Sequence, residues 1–387
     1  MVETTTIESI GRIVGTEETV MEAVMEAVME TTVALDAEKM AAFGQKMLGI
    51  LNGGMAANMI SIGHRVGLFD AMGGLGKAAT SGEIAQAAGL NERYVREWLG
   101  AMTTAGIVEY EPGRGAYVLP AEHACMTTRA AGPNNFASYA QFIPLCAGVE
   151  DELIDKFRHG GGVPYSSYPR FHEAMAEMSG AVIDATLIRV TLPLVPGAIE
   201  ALQRGIRVAD VGCGSGHAIN VMAKAFPNST FVGMDFADAA LAVGRAEAHT
   251  WGLNNATFQA QDAAKLEGNE PFDFITTFDA VHDQANPQAM VDGIFRSLVP
   301  GGYWLCVDVQ ASSHVGENLT HPLGTFMYAV SCSHCMTVSL AYDGEGLGAM
   351  WGVQKAREVF GQAGFTKVAV HNVAGDPTNN YYVCHKA

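Results

Sequence analysis

The sequence predicts an α/β protein. A doubly wound, largely parallel sheet fills the C-terminal half, and a mostly helical region containing a winged helix precedes it. Three observations carry this. From Gly205 onward, strand patterns and helical patterns alternate, as in a parallel sheet built from crossover helices. The first of those strands runs directly into a glycine-rich turn, Gly212-Cys213-Gly214-Ser215-Gly216. Upstream, two short helical patterns precede two short strand patterns around Pro112-Gly113-Arg114-Gly115, a hairpin signal.

The length of 387 residues suits two or three domains of about 150 residues each. The expected division is an acidic helical arm over 1–45, a winged-helix and dimerisation domain over 46–125, a helical linker and substrate lid over 126–200, and the α/β domain over 201–387. Acidic residues outnumber Lys and Arg by 41 to 23, a formal net charge of −18. Such a chain repels nucleic acid and anionic membranes unless one patch is strongly basic, and the sequence has no Lys/Arg cluster of that kind. It also has no run of 18 uncharged apolar residues, so no membrane span is expected. The start, Met1-Val2-Glu3-Thr4-Thr5, lacks the basic and apolar regions of a signal peptide. Seven scattered cysteines fit a reducing compartment better than a disulfide framework. The expectation is a soluble, cytoplasmic protein.

Within the arm, Val20-Met21-Glu22-Ala23 recurs as Val24-Met25-Glu26-Ala27 and then Val28-Met29-Glu30. A four-residue period drifts slowly around a 3.6-residue helix, so Val and Met form an oblique stripe for core or dimer packing. Residues 46–75 read as a buried helix ending near Gly73-Gly74. Thr80 and Glu83 have capping-box spacing before a short helix that ends at Gly89. A second helix runs from Glu92 to about Ala105, and the hairpin flanks 112–115. The would-be recognition helix, Glu92-Arg93-Tyr94-Val95-Arg96-Glu97-Trp98, mixes two Arg with two Glu. A DNA reader usually has a basic footprint, so packing or dimerisation is the better reading. Residues 121–200 are mostly helical, interrupted by the Gly-rich, aromatic stretch 160–169. Its Tyr165 and Tyr168 either line a pocket or belong to a connection between domains.

The strands are expected at 207–211, 229–235, 256–260, 272–278, 302–309, 366–371 and 380–385. Helical patterns separate the first five. Only Asn372 to Asn379 joins the last two, too short for a parallel crossover, so that pair is antiparallel.

The chemistry concentrates at strand ends. In Val208-Ala209-Asp210-Val211-Gly212-Cys213-Gly214-Ser215-Gly216-His217, glycines let a ligand approach the backbone, and the following helix offers N–H groups to an anionic group. A dinucleotide fingerprint would need glycine at position 217, which is His217. Asp235 closes the second strand about 20 residues later, the position for a ribose diol. Asp262, after the third strand, can accept from an adenine amino group. His282-Asp283 follows the fourth strand, where open parallel sheets form their ligand crevice.

On these motifs residues 205–387 resemble a class I, S-adenosylmethionine-dependent methyltransferase domain, Rossmann-like, with seven strands and the last pair antiparallel. The winged helix before it resembles the dimerisation and substrate-lid domain of small-molecule O-methyltransferases. From about residue 46 onward, Arg93 to Leu99, Phe278 to Gln284 and His334 to Leu340 resemble a winged-helix-bearing methyltransferase subfamily often described as regulators. The resemblance implies that Asp210, Gly212, Gly214 and Gly216 hold the methionine part of the cofactor, and Asp235 with Phe236 the ribose. It implies further that Asp262 and Ala263 hold the adenine, that Phe278 lies near the sulfonium, and that the product is S-adenosyl-L-homocysteine. It implies His282 as general base; Asp283 is expected to orient its ring. A neutral imidazole accepts a proton near pH 7.

The insertion over 312–351 is expected to cover a small-molecule acceptor with His314, Tyr328, Cys332, His334 and Trp351. Cys332-x-x-Cys335 has metal-ligand spacing, but no second pair completes a zinc site, and no metal is expected. The expected function is methyl transfer to an oxygen or sulfur of a small molecule by a homodimer that binds neither nucleic acid nor membrane. A ligand-sensing transcriptional regulator on the same fold is the alternative.

Overall fold

The computed structural model of the protein describes residues 35–268 and 271–387. The Val-Met-Glu repeat and most of the acidic arm lie outside the described residues. The described residues up to Gly54 and residues 55–387 fall into separate units. Helix α1 (Ala37–Arg65) is continuous across the boundary expected at 45/46. Along its first half Met40, Phe43, Met47 and Leu51 are exposed.

The winged helix follows from local sequence. Helices α2 (Leu68–Leu75), α3 (Ser81–Ala88) and α4 (Glu92–Thr104) precede strands β1 (Glu109–Glu111) and β2 (Ala116–Val118), which pair antiparallel. Thr80 and Glu83 form the capping box at the start of α3: the Thr80 N–H donates to Glu83 Oε2 at 2.8 Å, and the Glu83 N–H to Thr80 Oγ1 at 3.3 Å. In α4, Val95, Trp98, Leu99 and Met102 are buried, and Trp98 donates to the Met59 carbonyl at 2.8 Å. The arginines of α4 are paired along the helix, Arg93 with Glu97 and Arg96 with Glu92. Neither is a free cation for a phosphate backbone.

Residues 121–204 are mostly helical, with non-helical breaks such as 160–164, and α5 (Phe171–Thr186) continues into a π-helical turn, Leu187–Thr191. The sheet then forms from β3 (Arg207–Val211), β4 (Thr230–Asp235), β5 (Ala256–Ala260), β6 (Phe272–Phe278), β7 (Leu298–Val309), β8 (Lys367–Val373) and β9 (Asp376–His385). Its order is β5-β4-β3-β6-β7-β9-β8. The first five strands pair in parallel, and β9 lies antiparallel to both β7 and β8. The connection expected over 372–379 is shorter: β8 runs to Val373 and β9 starts at Asp376, leaving a turn at Ala374-Gly375. Gly375 takes φ +98° there, which permits so tight a reversal.

Both faces of the sheet are covered. Helices α6 (His217–Ala225) and α7 (Asp238–Thr250) belong to the crossovers after β3 and β4, and α8 (Pro287–Ser297) and α9 (Gly352–Ala363) follow β6 and β7. One core cluster joins Ile294, Trp304, Val359 and Phe360; the other joins Ile219, Met222, Phe231, Phe274 and Leu305. Each such side chain contributes about 1.5–3 kcal/mol on burial, enough together to hold the strand ends in register. Among the described residues no single helix is long and apolar enough to cross a membrane.

Candidate cofactor and acceptor site

The strand order reverses between β3 and β6, and in open sheets the crevice at such a point, beyond the C-terminal strand ends, receives ligands. The glycine turn lies there. Gly214 and Gly216 take φ +53° and +70°, the left-handed region. A Cβ on Gly216 would stand 2.2 Å from Phe258 Cε1, whereas one on Gly214 would meet nothing within 4 Å. Gly216 is therefore needed by packing, and Gly214 leaves open backbone on the cavity side. Asp235 ties this turn to β4: its Oδ2 accepts the Gly214 N–H at 2.9 Å and its Oδ1 the Ala237 N–H at 2.8 Å.

The turn forms one wall of a cavity of about 430 Å3. Asp210, Gly212, Gly214, Asp235, Phe236, Asp262, Ala263, Phe278 and Asp283 all line it, with Tyr165 and His172 from the helical region. Gly216 stands one step behind, at the N-cap of α6. Asp210 is buried and accepts from the Thr276 hydroxyl at 2.8 Å. Burial pushes its pKa up to about 7, against the pull of that bond. Asp262 caps a short turn by accepting the Ala264 N–H at 3.0 Å, and Lys265 sits 2.9 Å from its other oxygen. The Lys265 bond holds its carboxyl below the usual carboxylate range. Asp283, half-buried in the wall, is pushed up to about 6 by desolvation.

The catalytic expectation needs revision. His282 is buried and is not on the cavity wall. Its Nδ1 lies 2.7 Å from Asp308 Oδ1, which also accepts Trp351 Nε1–H at 3.0 Å. The group that orients the ring is therefore Asp308, from the end of β7, and not Asp283, whose side chain faces the cavity. Burial lowers the imidazole pKa, but the Asp308 carboxylate outweighs it, and the net direction is well above the usual histidine value.

The acceptor residues expected from sequence also divide. Tyr165 lines the cavity, stacked on His172 with ring centres 4.7 Å apart. Behind it, His334 is buried face to face with Phe171 at 3.4 Å, and Tyr168 donates to the Ser333 carbonyl. His314, Tyr328, Cys332 and Trp351 are not on the wall. His314 is exposed, the Tyr328 hydroxyl accepts from Asn318 at 3.0 Å, and Trp351 is drawn into the core beside Phe360. Cys332 lies in a π-helical turn, Ser331–Cys335. Among the described residues no three His, Cys, Asp or Glu side chains converge as metal ligands.

Three residues at the site went unmarked in the sequence reading. Asp308 ends a strand as Asp235 does, and the same reasoning would have found it. His172 sits in α5 without a motif around it. Asp279 follows β6 directly, with φ +51° on a non-glycine residue.

This sheet order, the glycine turn after its first strand and the acid closing the second define the fold of class I, S-adenosylmethionine-dependent methyltransferases. The three carboxyl groups of Asp210, Asp235 and Asp262 around open turn backbone fit that cofactor. Residues 202–371 match the methyltransferase-domain family, and residues 54–129 match the family described as Rv2258c-like winged HTH domain. The chain thus carries a methyltransferase domain behind a winged helix-turn-helix domain.

The chain is 23% identical over 157 residues to malonyl-[acyl-carrier protein] O-methyltransferase of Bacillus cereus, covering 41% of this chain and 52% of the relative. It is 33% identical over 103 residues to a ubiquinone biosynthesis O-methyltransferase of Dinoroseobacter shibae, covering 27% and 41%. It thus spans about half or less of the length of these curated relatives. Human N-acetylserotonin methyltransferase, solved with S-adenosylmethionine, superposes with a TM-score of 0.65 at 15% identity, over 92% of this chain and 99% of that one. An O-methyltransferase family protein of Burkholderia thailandensis superposes at 0.60 and 14% identity, again over 92% and 99%. At these identities the likeness is one of fold, and it extends through the helical region as well as the sheet.

Proposed function

We propose that the protein transfers a methyl group from S-adenosyl-L-methionine to an oxygen or sulfur of a small-molecule acceptor. The observation that carries this is the Asp235-anchored glycine turn opening onto a cavity enclosed by the helical region. Asp210 and the Gly212–Gly216 turn hold the amino-acid part of the cofactor, Asp235 and Phe236 the ribose, and Asp262 and Ala263 the adenine; Phe278 packs near the sulfonium. The cofactor supplies an activated methyl group. What the chain supplies is alignment of the acceptor lone pair and exclusion of water. Tyr165 and α5 close the cavity on the side away from the sheet and do the latter.

His282 is one candidate to take the acceptor's proton; it stands behind the cavity wall, and its raised pKa means that it accepts only after losing its own proton. An imidazole held by a buried carboxylate is a common form of general base, and Asp308 gives His282 that partner at 2.7 Å. A second reading is favoured by position. His172 lines the cavity, and burial lowers its pKa, so it is neutral at pH 7 and free to accept. A phenol of pKa about 10 needs such help more than a thiol of about 8.5.

A transcriptional role through the winged helix is not favoured, because Arg93 and Arg96 are each paired with a glutamate. The exposed apolar side chains of α1 support a homodimer; light scattering tests this, and a monomer at micromolar concentration removes it. The function itself is tested by calorimetry with S-adenosylhomocysteine, followed by a screen of small thiols, phenols and hydroxy acids that reads out that product. Saturable binding and turnover of one acceptor class are expected. Failure to bind the nucleoside refutes the proposal.

A further inference from the structure

A second, narrower chamber opens where the cavity wall passes Phe278 and Asp279, with a volume of about 40 Å3. Ser179 and Ile183 of α5, with Phe278 and Asp279, line both spaces. The chamber lies over the ends of β6, β7 and β9. Its lining includes the hydroxyls of Thr186 and Tyr381 and two carboxyl groups, but no Lys, Arg or His.

The two carboxyl groups are not equivalent. Asp376 is saturated with donors. Its Oδ1 accepts from the Thr378 N–H at 3.0 Å and the Thr378 hydroxyl at 2.7 Å, and its Oδ2 from Asn379 at 3.0 Å and the Tyr381 hydroxyl at 2.7 Å. Asp279 Oδ1 is buried and has no hydrogen-bond partner. Its backbone is held at φ +51°, a conformation uncommon outside glycine. Strain of this kind persists where the surroundings over-determine it, and it clusters at ligand sites. Burial and the charges of Asp308, Asp376 and Asp283 push its pKa up to about 8, against the pull of His282. An unpaired carboxylate in such a place is costly, and the group keeps its proton at neutral pH until a cation arrives.

We propose that this chamber is the subsite for a cationic, alkylammonium end of the acceptor, and that Asp279 is the residue that recognises it. An ammonium group brings three donors and one positive charge to a largely apolar wall whose polar groups include two carboxyls and several hydroxyls, and no Lys, Arg or His. On pairing, Asp279 gives its proton to solvent and meets the ammonium as a carboxylate. A neutral alkyl end would leave Oδ1 unpaired. An anionic end would face two carboxyl groups, and the imidazole of His282, which acts on Asp279 from outside the chamber, is not on its wall. The chamber is much the smaller of the two spaces, so the amine end enters it and the acceptor's aromatic or apolar body stays in the larger cavity. The inference rests on reading that larger cavity as the methyl-transfer site.

The test uses three matched phenols, tyramine, 4-ethylphenol and 3-(4-hydroxyphenyl)propanoate, titrated calorimetrically at pH 7 into protein saturated with S-adenosylhomocysteine. Tyramine is expected to bind about tenfold or more tightly than either analogue, the size of a charge-assisted hydrogen bond. Its binding should release protons, seen as a heat that varies with the ionisation enthalpy of the buffer. In D279N the preference falls to near unity. Asparagine tolerates the left-handed backbone, and D279G, which suits it better still, should behave alike. Equal affinity for the three phenols, no detectable tyramine binding, or a preference that survives both substitutions overturns the proposal. Failure of the methyl-transfer reading is seen separately, as absence of S-adenosylhomocysteine binding; the three phenols are then compared on the cofactor-free protein, with the same outcomes.

Discussion

Alanine at Gly216 and alanine at Gly214 separate the two jobs of the glycine turn. Both positions are left-handed, so each substitution incurs a backbone cost of about 1–2 kcal/mol. They differ in what the new methyl meets. At Gly216 it would stand 2.2 Å from Phe258 Cε1 and 3.0 Å from Cζ, while at Gly214 nothing lies within 4 Å. Phe258 cannot retreat, because its ring also fills the space a Cβ would take at Gly233 and Gly244, at 2.8 and 2.7 Å. Overpacking of this kind adds about 1–3 kcal/mol. Gly216→Ala is therefore expected to lose about 2–5 kcal/mol, against about 1–2 kcal/mol for Gly214→Ala. Urea denaturation of the nucleoside-free protein reads the difference from the midpoints and slopes. Calorimetry with S-adenosylhomocysteine reads the other job: Gly214→Ala, the milder change in stability, places a methyl on the cavity wall and weakens binding by about tenfold or more. Equal stability losses for the two variants, or an undiminished affinity in Gly214→Ala, would refute the reasoning.

Asp235→Ala removes the acceptor for two backbone N–H groups as well as the ribose contact. S-adenosylhomocysteine affinity should fall by at least about tenfold, and an unchanged affinity would move the ribose site elsewhere. The pH dependence of turnover distinguishes the two candidate bases. With His282, held above its usual pKa beside Asp308, the midpoint of the rise in rate lies above 6.5; with His172, lowered by burial, it lies below 6.5. A rate that shows no rise with pH on either side of 6.5 would exclude both. Asp279 is raised from 3.8 to about 8. A raised folded-state pKa means stability that is present at low pH and lost as pH climbs, here between about 4 and 8. Asp279→Asn removes that loss, so its melting temperature should gain on the wild type across this window and hold its lead above it. A constant gap would contradict the assignment.

Much of the fold was legible because its signals are local. Strands β3 to β6 begin and end within a residue of the apolar runs that mark them, and the Thr80/Glu83 box forms as its spacing requires. β7 begins four residues earlier than its apolar run suggests, at Leu298, because Leu298 pairs with Phe272 and an irregularity over 299–302, with Pro300 and two glycines, leads on to Tyr303 opposite Phe274. The π-helical turns at Leu187–Thr191 and Ser331–Cys335 leave no mark in composition. That Asp210, Asp235 and Asp262 come together at one cavity was readable for the same reason as the strands: they sit at fixed offsets from strand ends. The acceptor side was not. Trp351 and His334 are chemically suited to a pocket, but tertiary packing takes one beside Asp308 and the other against Phe171. The residues that do face the cavity, His172 and Asp279, arrive from α5 and from a strained residue after β6, and only the fold brings them together.

The central claim is that the backbone after β3 grips a sulfonium nucleoside. A crystal soaked with S-adenosylhomocysteine tests it most directly. The amino-acid tail should lie on the amides of Gly212 to Gly216, with the ribose hydroxyls on Asp235. Density for the nucleoside elsewhere, or a nicotinamide dinucleotide seated on the same turn, would contradict it.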